Sequence, residues 1–312
     1  MREILFLEPV FKSMIWGGSR LNTEFGYQIP DDHTGECWAI SAHPNGDCRI
    51  RSGSFKGRSL SWLWDNHREL FGSETGKVFP LLVKIIDAKA DLSIQVHPDD
   101  AYAGVKERGA LGKTECWYIL DCPEDGKLVL GHNAGSREEL REMIEENRWA
   151  ELIRLKSIRK GDFLQIEPGT VHAIKAGTML LETQQNSDIT YRLYDYDRLE
   201  HGKPRPLHKE QSMEVIRCPH KDIPISGKLT RYENCLLEEL IRCSYYTVNK
   251  LSLNGRREFV QKYNFLNISI IKGEGMLDGA AIKKGDHLIL PYGYGAYQME
   301  GDMEWIESYT AG

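Results

Sequence analysis

Lys160-Gly161-Asp162-Phe163-Leu164-Gln165-Ile166-Glu167-Pro168-Gly169 and Lys284-Gly285-Asp286-His287-Leu288-Ile289-Leu290-Pro291-Tyr292-Gly293 follow one pattern. Each reads Lys-Gly-Asp, then an alternating apolar run, then a proline- and glycine-rich corner, with the prolines offset by one position. Gly-Asp turns a chain into a strand, and such a corner suits φ values that are fixed or positive. A repeated strand-and-corner unit predicts a mainly β chain built from two related small β-barrels or sandwiches. At 312 residues the chain is long enough for two cores. The stretch Pro219–Gly227, poor in apolar residues, marks the boundary, so the expected domains are 1–226 and 227–312. The repeat fails at one point. His172 lies eleven positions after Gly161, and the same offset from Gly285 lands on Ala296. A metal held by His172 would therefore have no counterpart in the second unit.

Further strands are expected at Phe79–Ile86, Ser93–His97, Cys116–Leu120 and Met179–Glu182. Helices interrupt them. Ser136 and Glu139 form a capping box, and apolar residues recur at helical spacing to about Lys156, predicting a helical insert over roughly 134–157. Leu60, Leu63, Trp64, His67, Leu70 and Phe71 mark one face of an earlier helix, and Glu210–Ile216 carries a short later one.

Composition narrows the partners. The formal charge is −6, so no nucleic acid and no membrane surface is expected as partner. An anionic ligand must be held by a few placed Lys or Arg residues. Val78–Val83 is among the most apolar runs and is far short of the ~20 residues a membrane span needs. The start MREILFLEPVF places glutamates inside its apolar stretch and lacks a small-residue cleavage site. Seven cysteines without a CxxC read as reduced thiols in a cytoplasmic protein. Oligomeric state is not legible.

Several residues could carry chemistry. Gln95 and His97 stand at i and i+2 of a strand and share a face. Glu115 opens another strand behind Gly112-Lys113-Thr114, and His172 follows the Pro168-Gly169-Thr170 corner. Taken singly, each is an ordinary strand residue. As a set, two imidazoles, a carboxylate and an amide oxygen suit a divalent metal with an open position. The segment Glu182–Arg198 mixes Gln, Asn, Ser, Asp, Tyr and Arg, which suits a sugar, although composition alone favours a polar edge strand whose charges cancel.

Four motifs in order carry a resemblance: Gln95-Val96-His97-Pro98, Gly112-Lys113-Thr114-Glu115-Cys116-Trp117, Pro168-Gly169-Thr170-Val171-His172-Ala173, and Gln185-Asn186-Ser187-Asp188-Ile189-Thr190-Tyr191-Arg192-Leu193-Tyr194-Asp195. Together with Trp16-Gly17-Gly18 and Gly35-Glu36-Cys37-Trp38, they resemble type I mannose-6-phosphate isomerases in the short bacterial form. The resemblance implies two cupin-like β-barrels of jelly-roll type with inserted helices, the second lacking metal ligands. It further implies a zinc-dependent aldose–ketose isomerase that interconverts mannose 6-phosphate and fructose 6-phosphate through a cis-enediol(ate). One Zn2+ per chain falls on Gln95, His97, Glu115 and His172, with Gln95 the weakest donor. Arg192 falls on the catalytic arginine, and Lys113, Glu182 and a zinc-bound hydroxide are candidates for the general base. Ser93, Lys113 and Arg198 are candidate anchors for the hexose 6-phosphate. The alternatives are a non-catalytic sugar-phosphate-binding cupin and an iron dioxygenase. The Gln-x-His pattern and the wide spacing to Glu115 argue against the latter.

Overall fold

Residues 2–225 and 227–310 are described by a computed structural model. It is mainly β, with a nine-stranded, a six-stranded and a five-stranded sheet and two short two-stranded ones. The six-stranded sheet runs in the order Phe163–Ile166, Glu115–Asp121, Met179–Gln185, Leu81–Asp87, Thr34–Ile40, Val10–Gly18. The five-stranded sheet runs Ile153–Ser157, Lys127–His132, His172–Ala173, Ile94–Val96, Tyr191–Tyr194.

These two sheets face each other. Trp117, Ile119, Leu164 and Leu180 of the first share a buried cluster with Leu128 of the second. Alternation along the five-stranded sheet decides what each face does. Val129 pairs with Ala173, and Val96 with Tyr191, on the outer face, where Leu140, Met143 and Ile144 of helix Arg137–Glu145 cover them. His172, Gln95 and Arg192 lie in register across three neighbouring strands on the inner face.

The nine-stranded sheet crosses the expected boundary. Leu5–Glu8 pairs with His287–Pro291 on one side and with Arg49–Ile50 on the other, so the first strand of the chain completes the C-terminal sheet. The expected pair of cupin-like barrels is corrected in one respect: the sheets are open paths, not closed barrels. The C-terminal sheet instead bends over on itself. Tyr297 and Trp305 lie eight residues apart on strand Gly295–Tyr309, a distance of about 26 Å if extended. Yet both rings sit against Phe259, at centroid distances of 5.5 and 5.8 Å. The bend falls where Gly255, Gly301 and Gly275 are direct neighbours on three strands. A Cβ on Gly301 would come within 2.4 Å of the Glu274 carbonyl oxygen, so the fold-over needs glycine there.

The predicted strands form with shifts of no more than three residues at their ends. Helix Arg137–Glu145 starts at Ser136, whose Oγ accepts the Glu139 N–H at 3.2 Å, while Glu139 reaches back to the Gly135 N–H rather than to Ser136. The predicted insert is too long: after a single turn at Trp149–Leu152, Ile153–Ser157 pairs as a strand with Lys127–His132. Among the described residues no helix is long and apolar enough to cross a membrane.

A candidate metal centre at the end of a charged cavity

The inner faces of the two sheets supply one group of side chains from opposite sides. His172 stands on the five-stranded sheet, Glu115 opens a strand of the six-stranded sheet, and His97 follows directly on the end of Ile94–Val96. Their ligand atoms all lie within 4.8 Å of one another, and all three residues are buried. His97 Nε2 lies 3.1 Å from His172 Nε2 and 3.5 Å from Glu115 Oε2, and His172 Nε2 lies 3.3 Å from Glu115 Oε1. Among the described residues no other cluster of this kind occurs.

The surroundings set the state of each donor. His97 Nδ1 is 2.8 Å from the Ile189 carbonyl oxygen, and His172 Nδ1 is 2.9 Å from that of Thr170. A carbonyl accepts only from N–H, so both Nδ1 atoms carry the proton and both Nε2 lone pairs face inward. Burial holds both rings neutral, His97 well below the ordinary histidine range and His172 down to about 4. Burial, reinforced by the Glu182 charge, lifts Glu115 to about 7. Its Oε1 is buried without a hydrogen-bond partner. Two inward lone pairs and an orphaned carboxylate oxygen form the donor set a divalent cation of zinc type takes. The Gln95 amide nitrogen is 3.4 Å from His172 Nε2, and turning the amide over brings its oxygen to the same place.

A cavity of about 450 Å³ lies next to this group, lined among others by Ser93, Gln95, Lys113, Glu182 and Arg192. A larger cavity of about 760 Å³ around Arg2, Asp278 and Tyr294, lined by residues from both the start of the chain and the C-terminal sheet, contains no such ligand set among the described residues. Lys113 Nζ bonds to Glu115 and lies 3.2 Å from His97 Nε2 and 3.7 Å from Glu182 Oε1. Glu182 also accepts from Trp117 Nε1 at 3.0 Å and lies 3.5 Å from Lys84 Nζ. Burial alone would raise the Glu182 pKa, but Lys113 and Lys84 outweigh it and hold the carboxyl below its ordinary range. The Arg192 guanidinium has no hydrogen-bond or ion-pair partner among the described residues. Burial and the neighbouring Arg205 lower its pKa from the ordinary value. Arg198 is absent from the cavity lining: it bonds to Asp195 and to the Asp91 carbonyl.

Comparison with known proteins agrees with this geometry. The family model for the type I phosphomannose isomerase catalytic domain matches residues 4–119, and that for the mannose-6-phosphate isomerase cupin domain matches residues 237–310. Mannose-6-phosphate isomerase ManA of Bacillus subtilis (strain 168) is 51% identical, over 98% of this chain and 99% of its own length. The chain belongs to the type I phosphomannose isomerase family. A mannose-6-phosphate isomerase of Streptococcus mutans serotype c is 45% identical over 99% of each chain. The crystal structure of mannose 6-phosphate isomerase from Bacillus subtilis superposes with a TM-score of 0.97 at 46% identity, covering 98% of this chain and 99% of that one.

In this phosphomannose isomerase chain, sequence reasoning passed over Lys84 and Arg205, and quoted Glu36, Trp38 and Asp195 within motifs without giving them a role. Lys84 had a signal: it is a lysine inside the otherwise apolar run Leu81-Leu82-Val83-Lys84-Ile85-Ile86. In the structure it is buried and pairs with Glu182 and Glu36, and its Nζ lies 5.0 Å from the Trp38 ring centre. Arg205 had none, because only the fold returns it to Asp195.

Proposed function

We propose that the chain interconverts mannose 6-phosphate and fructose 6-phosphate, with one zinc-type divalent ion held by His97, Glu115 and His172 and with Gln95 beside it. The observation that carries this reading is the convergence of those three donors at the end of a cavity whose one uncommitted guanidinium is Arg192. Moving hydrogen between C1 and C2 requires removing a weakly acidic C–H beside a carbonyl, which gives a cis-enediolate. The ion, when bound, supplies Lewis-acid stabilisation of the negative charge on the sugar oxygens. Glu182, kept ionised by Lys113 and Lys84, takes the proton from C2 and returns it to C1. Lys113, within 3.7 Å of Glu182, exchanges the hydroxyl proton between O1 and O2. Arg192 adds positive charge that favours the enediolate over the neutral sugar. Ser93 lines the cavity and is a substrate contact. Arg198, spent on Asp195 and Asp91, is left out of the substrate contacts.

A coupled assay with mannose 6-phosphate, before and after chelation and after zinc is added back, tests substrate and metal together. Activity should disappear with the metal and return with zinc. A demonstrably metal-free enzyme with full activity would overturn the metal centre, and an inactive zinc-loaded enzyme would overturn the isomerase reading.

A further inference from the structure

The segment that delivers Lys113 to the cavity has no regular structure. Residues 110–114 lie between helix Asp100–Lys106 and strand Glu115–Asp121, yet Gly112, Lys113 and Thr114 are buried. Buried backbone outside a helix or sheet must find its hydrogen-bond partners elsewhere. Here it finds them one group at a time. Ser187 Oγ donates to the Leu111 carbonyl at 2.9 Å, the Gly112 N–H donates to Asp100 Oδ1 at 2.7 Å, and the Lys113 N–H donates to the Pro98 carbonyl at 3.0 Å. Gln185 takes both backbone groups of Thr114: its Oε1 accepts the N–H at 2.9 Å, and its own backbone N–H donates to the carbonyl at 3.1 Å.

A cross-brace closes the arrangement. Gln185 Nε2 donates at 3.0 Å to the same Asp100 Oδ1 that accepts from Gly112. The two side chains thus grip the residues on either side of Lys113 and each other. Gln185 is buried at the end of strand Met179–Gln185, the strand that carries Glu182. The brace therefore fixes the Lys113 backbone relative to the carboxylate that lies 3.7 Å from its Nζ. An amide suits this place because one end accepts from a backbone N–H while the other donates to a carboxylate; a glutamate would set two negative oxygens together. Packing leaves as little freedom as the bonding. A Cβ on Gly112 would come within 2.4 Å of the Asp99 carbonyl carbon, so the segment lies directly on the start of the helix.

We infer that Gln185 and Asp100 are positioning residues, which act through the backbone of Gly112-Lys113-Thr114 to hold the Lys113 ammonium where it exchanges a proton with the sugar. This rests on the isomerase reading above, in which Lys113 moves the hydroxyl proton between O1 and O2. Neither Gln185 nor Asp100 lines the cavity, so each reaches the sugar only through the segment it holds. A proton carrier displaced by about 1 Å loses on the order of 10²-fold in rate, which is the scale on which such a brace matters.

The test is a double-mutant cycle on the zinc-loaded enzyme with mannose 6-phosphate as substrate. Gln185→Met and Asp100→Ala should each lower kcat about 10- to 100-fold, with KM within about twofold of wild type and zinc still at one per chain. Asp100→Asn keeps the accepting oxygen and should recover kcat to within about threefold of wild type. In a Lys113→Ala background, Gln185→Met should lower kcat by less than about twofold more, because the group it positions is already gone. Effects that multiply in the double variant, unchanged kcat in Gln185→Met, or loss of zinc from it would each overturn the assignment, the last by routing the effect through Glu115. Amide hydrogen exchange over residues 110–115 gives a readout that does not depend on turnover. It should quicken about tenfold or more in Gln185→Met and Asp100→Ala, and stay at the wild-type rate in Asp100→Asn. If the wild-type enzyme itself fails to turn over mannose 6-phosphate, the isomerase reading is what falls. Exchange then decides the brace: local quickening supports it, and unchanged exchange overturns it.

Discussion

The two Lys-Gly-Asp units have one backbone geometry and opposite interiors. Gly161 and Gly285 both have φ of 91°, and each glycine N–H donates to a carbonyl of the neighbouring strand, Ile119 at 2.8 Å and Ile270 at 2.9 Å. In both, the aspartate carboxylate accepts the N–H three residues back, Arg159 at 2.8 Å and Lys283 at 2.9 Å. Matching Ile119 to Ile270 sets the rest of the register. Trp117, Glu182 and Lys84 form a row across three strands in the first half, and Ile268, Glu307 and Asn249 form the same row in the second. Glu115 then corresponds to Leu266, which is buried among Leu251, Ile268, Leu288 and Trp305. The turn chemistry dictates the strand frame, and the inward side chains alone decide whether that frame holds an apolar core or a charged site.

The comparison breaks most visibly at His172. His172→Ala should lower kcat by roughly 10³-fold or more and reduce bound zinc, read by turnover and metal analysis. Ala296→His, at the matching offset in the second half, should leave zinc at one per chain, because Leu266 stands where a carboxylate ligand is required. A second equivalent of tightly bound zinc would show that the frame, not the ligand set, makes the site. Next in size is Arg192→Ala. It removes the uncommitted positive charge on the inner face, so kcat should fall about 10²- to 10³-fold with zinc content unchanged. Near-normal turnover would remove Arg192 from the chemistry.

Much of this was legible because turns and alternation are local. The Lys-Gly-Asp repeat, the strand around Glu115 and the Ser136 cap follow from neighbouring residues, and the structure contains all three. What escaped depends on contacts between distant segments. Ile153–Ser157 continues a helical spacing yet pairs as a strand, since Lys127–His132 offers an open edge. Leu5–Glu8 joins the C-terminal sheet by pairing with residues far along the chain. Sequence alone does not tell which of Arg198 and Arg205 lines the cavity. The tertiary fold spends Arg198 on Asp195 and the Asp91 carbonyl and leaves one edge of Arg205 open.

The smallest expected effect is the one that isolates the interiors from the chemistry. Glu182 and Glu307 occupy matching positions and are both buried. Glu182 faces two ammoniums and is held ionised, whereas Glu307 has the neutral Asn249 amide at 2.9 Å, and burial pushes its pKa up from 4.5 to about 6. A folded-state pKa above the unfolded one means the native protein binds that proton more tightly. Stability attributable to Glu307 is therefore greatest below about pH 4.5 and is lost as pH rises through about 6. Above that window the ionised carboxylate costs about 2 kcal/mol, from 1.36 kcal/mol per pKa unit. Glu307→Gln keeps an oxygen to accept from Asn249 and removes the charge. It should raise the melting temperature at pH 7.5 and give no gain at pH 4, with isomerase activity unchanged. Unfolding curves at the two pH values check this. A variant less stable at pH 7.5 would mean that Glu307, like Glu182, is held by a positive partner, and the contrast between the two interiors would fail at the one carboxylate they share.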